Sequence, residues 1–407
     1  MPLRNDPGSA PSPATVVLRD AAILDVETGE VSAPRTIVAQ AGDVVEISTS
    51  TRTVAGAEEF SVAGATVLPG LIDAHAHVTQ ASGDFAEILS WTPAYHAART
   101  ARELHRMLLR GFTTVRDMGG ADTGLRRAVE ERLITGPMLK VGGPIFAPTG
   151  GHALTRVVDG EVEVRRALRA ELRDGADHIK LTLSGGVISR MRIDSLGFSE
   201  AEILAAVDEA HLAHRYVGAH VYSAEAVARA LRLGVRTIEH GNFLDEECLA
   251  LFLERGAFYV PTLATFWAIV EGHTGRHLDP DARAAVVEVF ERGLESLALA
   301  DRAGVRIGYG TDLHGEGLAF QLEEFRIRGR VQDPLSVIRA ATVVGAEIIG
   351  EEGRVGIVRE GARADLIALD GDPSQDLSLL SSGTALRLVL TDGQPIRLDG
   401  SQRRRTT

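Results

Sequence analysis

The strongest constraint on the fold is an alternation. Between residues 66 and 312, short apolar, strand-like runs take turns with longer stretches rich in Ala, Arg, Leu and Glu. The runs are 66–78, 113–117, 139–145, 177–183, 217–221, 237–240, 258–263 and 305–312. A strand that returns to its neighbour through a helical crossover runs parallel to it, so repeated units of this kind build a parallel sheet with helices on its faces. The clearest helical stretch, 199–216, opens on Ser199-Glu200-Ala201-Glu202, a capping-box start that satisfies unpaired N–H groups of the first turn. Eight such units predict the α/β class and, within it, a (β/α)8 TIM barrel.

The two ends of the chain have a different texture. Residues 15–66 carry short strand-like runs with turns at Thr28-Gly29 and Ala41-Gly42-Asp43, and 356–398 return to that style around Gly371-Asp372-Pro373. The economical arrangement is a small β-sandwich domain assembled from 1–66 and 356–407, with the barrel, 67–355, inserted between them. The Arg403-Arg404-Arg405 tail reads as solvated chain.

Composition narrows the chemistry. With 43 Lys and Arg against 56 Asp and Glu, the net charge of -13 opposes attraction to nucleic acid or an anionic membrane surface. Neither is expected as a partner; a small-molecule substrate is. Cys248 is the only cysteine, so an intrachain disulfide and a thiolate zinc site are both excluded. A metal would have to sit on His, Asp, Glu or Lys. Residues 1–14 lack the apolar core of a signal peptide, and no run approaches the roughly 18 apolar residues of a membrane helix, so a cytoplasmic protein is expected.

Candidate chemistry collects at the ends of the strand-like runs. In Asp73-Ala74-His75-Ala76-His77 the two histidines share a face, because side chains alternate along a strand. The C-terminal ends of barrel strands are where such folds place active sites, although the pair alone also fits two hydrogen-bonded histidines. In Ile179-Lys180-Leu181-Thr182-Leu183 the apolar residues claim one face and turn Lys180 the other way, into the barrel, where burial disfavours its charged form. A neutral amine there can take up carbon dioxide as a carbamate and offer two oxygens to metal ions; a lysine paired with an aspartate is the other reading. His220 and His240 each end an apolar run, and Asp312 ends the last one. Imidazole and carboxylate donors suit zinc, manganese, cobalt or iron alike. The histidines in helical or loop stretches, His96, His105, His211, His214, His273 and His277, are not expected to ligate. Arg190 and Arg192 follow the fourth strand, and a guanidinium fork matches a substrate carboxylate, although a solvated surface arginine fits equally.

Together these stretches resemble the amidohydrolase superfamily, binuclear type, from about Val67 to Pro373. The matching segments are 69–78, 111–119, Gly150-Gly151-His152, 178–187, 218–222, 238–242, 310–312 and 361–373. Ser184-Gly185-Gly186-Val187, Gly151-His152 and Tyr222 are similar to the imidazolonepropionase-related branch that holds prolidases and Xaa-Arg or Xaa-Lys dipeptidases. The resemblance implies two divalent metal ions, with His75 and His77 on one, His220 and His240 on the other, carboxylated Lys180 bridging, and Asp312 both ligating and shuttling the proton. It further implies hydrolysis of an amide or peptide C–N bond by a hydroxide held between the metals, with Tyr222 or His152 donating to the oxyanion, and it implies a homo-oligomer. Ureas, carbamates and xenobiotic amides of the ochratoxin kind are the alternative substrates, followed by cyclic amides. A deaminase on this barrel needs a glutamate three residues after the fifth-strand histidine, where this chain has Ser223. A silent barrel used only for binding would not require four inward histidines.

Overall fold

The computed structural model describes residues 15–398 apart from 153–155, 188, 190 and 276–277, so the amino-terminal segment, His277 and the arginine tail lie outside the described residues. In chain order it forms β1 (Val16–Ile23), β2 (Arg35–Gln40), β3 (Asp43–Ser48), β4 (Glu58–Ser61) and β5 (Ala65–Pro69). There follow β6 (Leu71–Ala76), β7 (Phe112–Asp117), β8 (Met138–Val141), β9 (Ile145–Ala147), β10 (Arg156–Val157), β11 (Ile179–Thr182), β12 (Val217–Val221), β13 (Thr237–His240), β14 (Phe258–Val260) and β15 (Arg306–Ile307). The chain closes with β16 (Leu366–Asp370), β17 (Leu386–Thr391) and β18 (Gln394–Ile396).

The middle strands pair only in parallel, in a three-stranded sheet β6-β7-β8 and a seven-stranded sheet β10-β9-β11-β12-β13-β14-β15. Every residue of β6, β7, β11, β12 and β13 is buried, as strands covered on both faces must be. Single backbone bonds link the two sheets at both edges. Ala74 N donates to Tyr309 O (2.8 Å) and Asp312 N to His75 O (2.9 Å) on one side, Gly120 N to Gly143 O (2.9 Å) and Asp177 N to Val141 O (2.8 Å) on the other. The chain is therefore α/β, and among the described residues its strand ladders stand as two parallel sheets. Among the described residues, no helix is long and apolar enough to cross a membrane.

Both chain ends meet in one eight-stranded sheet of order β18-β17-β16-β5-β1-β2-β3, with β4 also on β1. The apolar run 66–78 is not one strand: Ala65–Pro69 pairs antiparallel with β16, and only from Leu71 does the chain enter the parallel system. Gly70 is the crossing point, since a Cβ there would lie 2.1 Å from Thr113 Oγ1. Periodicity cannot reveal such a crossing, because the run is apolar on both sides of it.

Candidate metal centre

His75 on β6 places its Nδ1 2.7 Å from Glu239 Oε2 and its Nε2 3.3 Å from Asp312 Oδ1. His77, two residues on, sets Nδ1 2.8 Å from the carbonyl of Gly119 and Nε2 3.2 Å from the same Asp312 oxygen. Ligand atoms of His75, His77 and Asp312 all lie within 4.8 Å of one another. His240 is 5.2 Å from His75 and 4.6 Å from His220, ring centre to ring centre, so the histidines at the ends of β6, β12 and β13 converge.

The convergence depends on strained backbone. His240 has φ 74° and Asp312 φ 52°, left-handed values that non-glycine residues adopt only when surrounding packing imposes them. At β13 this breaks the alternation of side chains, so consecutive residues Glu239 and His240 both reach the interior. Thr262, also left-handed at φ 51°, aims its Oγ1 at His240 Nδ1, 2.7 Å away. Gly310 is required beside His75, because a Cβ would approach that residue's own Cβ to 2.7 Å.

Lys180 on β11 is 2 % exposed and lines the same cavity. Burial, working against the pull of Glu239 and Asp312, lowers its pKa to about 8, so about a tenth of the amine is neutral at pH 7. Burial likewise holds His220 and His240 unprotonated. Burial alone would raise Asp312, but the charge interaction with His75 and hydrogen bonds with His75 and His77 hold it well below the usual carboxylate range. His220 rests its Nε2 3.1 Å from the carbonyl of Gly185, which leaves Nδ1 for the interior.

His152 stacks on His220 at 4.4 Å and is lowered by burial to about 4, so it is a neutral imidazole with one N–H to give. Gly186 permits that approach, since a Cβ would sit 2.5 Å from the His152 ring. Tyr222 stacks on His240 at 5.2 Å, and burial raises its phenol well above the ordinary value, keeping it protonated. All these groups face one cavity of about 1180 Å³, whose outer wall includes Phe266, Ile269 and Leu278.

Arg190 lies outside the described residues. Arg192 is exposed, forks onto Asp194 at 2.8 Å, and is not among the residues lining the cavity, so the structure does not bring it to the site. Asp194, two residues on, is the local partner of the guanidinium. Two contributors were not foreseen. His314 lines the cavity, stacks on His77 at 5.2 Å and reaches within 3.8 Å of Asp312; its spacing from Asp312 repeats that of His75 and His77 and was a readable signal. Glu239 had no such signal, because strand alternation assigns it the face opposite His240.

The donors suit divalent cations. Three imidazoles each set Nδ1 against an oxygen, one carboxylate is held ionised, and a lysine is depressed toward its neutral form.

The Amidohydrolase family model matches residues 66–396. The ochratoxinase of Aspergillus niger is 30% identical over 360 residues, 81% of this chain and 75% of that protein. A prolidase solved with N-methylphosphonate-L-proline superposes with a TM-score of 0.89 at 40% identity, covering 94% of this chain and 100% of the other. A Xaa-Pro dipeptidase solved with methionine in its active site reaches 0.86 at 28% identity, again over 94% and 100%.

Proposed function

The chain belongs to the amidohydrolase family and is a hydrolase of carbon-nitrogen bonds, and from that premise we propose that it cleaves dipeptides or N-acyl amino acids with the help of two divalent metal ions, zinc in the first instance. The observation that carries the reading is the meeting of His75, His77, Lys180, His220, His240 and Asp312, drawn from distant parts of the chain, on a single cavity. His75 and His77 would hold one cation, His220 and His240 the other, with Lys180 as its carbamate between them and Asp312 on the first. When bound, the cations supply a water of lowered pKa and polarise the scissile carbonyl.

The chain's own groups do the rest. Asp312, ionised and in reach of the imidazoles, accepts the proton of the attacking water and returns it to the leaving nitrogen. Tyr222 and His152, both proton-bearing and neutral, donate to the developing oxyanion. The edge bonds between the two parallel sheets support a (β/α)8 barrel as the frame, comprising 67–355. The shared apolar cluster of β1, β2, β5, β16 and β17 supports a terminal β-sandwich domain from 1–66 and 356–407.

A second reading, bulky amides, ureas or carbamates, is favoured by the size and apolar wall of the cavity and by the similarity to an ochratoxinase. The deciding experiment offers a dipeptide and N-acyl amino acid library to the zinc- or manganese-loaded enzyme in bicarbonate, with Lys180→Ala as control. Cleavage that disappears in the control is expected. A library left wholly intact would reject the dipeptide reading in favour of the second.

A further inference from the structure

Beneath the proposed ligands the interior holds two opposite charges with no exposure at all, Arg116 and Glu239. Arg116 on β7 donates from Nη2 to both Glu239 oxygens (2.9 and 3.1 Å), from Nη1 to Thr237 Oγ1 (3.0 Å) and from Nε to the carbonyl of Ala74 (2.5 Å). One side chain thus ties β7 to β13 and to the residue that precedes His75 on β6. Glu239 also accepts from Thr237 Oγ1 (2.5 Å) and faces His75 Nδ1 at 2.7 Å. Space for the pair is reserved on β12, where a Cβ on Gly218 would come within 2.5 Å of Thr237 Oγ1 and 3.2 Å of Glu239 Oε1.

A carboxylate gripped by a guanidinium is ionised and can only accept hydrogen bonds. The proton between Glu239 and His75 therefore belongs to Nδ1, so Nε2, the atom that faces Asp312 at 3.3 Å, is the nitrogen left to meet a cation. His77 and His240 lean on a carbonyl and a hydroxyl instead. Burying an ion pair gains little stability over well-packed apolar residues, so a purely structural role is a weak account of this one.

We infer that Arg116 and Glu239 are positioning residues for His75, fixing its tautomer and ring orientation so that Nε2 is presented to a divalent cation. The inference rests on the metal reading above. A carboxylate behind a ligating imidazole also raises its basicity, and loss of such a partner weakens metal binding roughly 10- to 100-fold.

The test titrates metal-free wild-type chain and Glu239→Gln with zinc against a chromophoric chelator, alongside circular dichroism of both. The expected result is a folded variant whose tightest zinc affinity has fallen roughly 10- to 100-fold. Wild-type uptake with an unchanged variant overturns this inference alone. A wild-type chain that takes up no zinc overturns the metal reading, and this inference with it. Because removing one member of a buried ion pair can unfold a chain, a second measurement uses the unmutated protein. Nitrogen-15 histidine spectra of the zinc-loaded wild type, with His75 assigned by difference against His75→Gln, should report an Nδ1–H tautomer; an Nε2–H tautomer at that position overturns the proposal.

Discussion

The two sheet systems of this protein bury very different things. The terminal sheet closes on an apolar cluster that includes Val16, Leu18, Ile37, Val44, Val67, Leu366 and Leu390. The parallel system buries Asp73, Arg116, Lys180 and Glu239 to 2 % exposure or less, besides its histidines. Apolar packing is non-directional and tolerates repacking at modest cost, whereas each buried charge needs partners at set distances. Asp73 shows the requirement: it accepts from Thr311 Oγ1 (2.7 Å), Gln321 Nε2 (2.8 Å) and His75 N (3.1 Å), which steadies β6 against the segment that carries Asp312. Among the described residues the terminal sheet has one comparable group, Asp365 before β16, paired with Arg363 at 2.9 Å, so its burial is mainly apolar, whereas the parallel system gathers Asp73, Arg116, Lys180 and Glu239 around the site.

If that division holds, substitutions in the two regions should separate activity from stability. The largest effect is expected at Asp312→Asn, which keeps the shape but removes the proton acceptor: turnover should fall about 10²- to 10⁴-fold while metal content stays near that of the wild type. Steady-state kinetics with metal analysis checks this, and activity within a few-fold of wild type would remove Asp312 from the proton path.

Next in size, Leu18→Ala should cost about 2–5 kcal/mol of folding stability through the cavity it leaves, read as a shifted urea midpoint, with kcat of the folded enzyme unaltered. A kcat that drops in parallel would break the comparison, because the terminal sheet would then be shaping the site.

The smallest effect concerns Glu324, a fully buried carboxyl of the parallel region. It accepts from Ala264 N (2.6 Å) at the start of the helix Leu263–Val270, and burial, against Arg328, raises its pKa from 4.5 to about 7. A carboxyl whose pKa is raised by folding binds its proton more tightly in the folded chain. Its contribution is therefore present below pH 4.5 and lost as pH rises through about 7. Glu324→Gln should abolish a decline of up to about 3 kcal/mol across that window. Melting curves of the two proteins that fall in parallel from pH 5 to 8 would assign the decline to other groups.

Much of the frame could be read from alternation alone. The eight apolar runs predicted all correspond to strands of the parallel system, although 66–78 divides at Gly70 and 139–145 divides into β8 and β9. Both divisions fall at glycines next to a proline, Pro69-Gly70 and Gly142-Gly143-Pro144, turn signals that apolar periodicity does not register. The site candidates His77, His220, His240 and Asp312 were legible because each stands at or near the end of a strand-like run, and His75 and Lys180 because a histidine or lysine on an inward face is costly without a purpose. For Arg192 the two readings stayed open because loop position says nothing about where a long side chain finds its partner, and Asp194 is two residues away.

Sequence by itself determined the order of strands and helices, the exclusion of thiolate chemistry and the residue types at the strand ends, since these depend on local periodicity and composition. Only the tertiary structure decided which side chains share the interior. Packing forces His240 and Asp312 into left-handed backbone, so that Glu239 and His240 face the same way, and Arg116 reaches across from β7 to grip the carboxylate behind His75. Such contacts join residues far apart in the chain, and their energies depend on burial and geometry that no local pattern encodes.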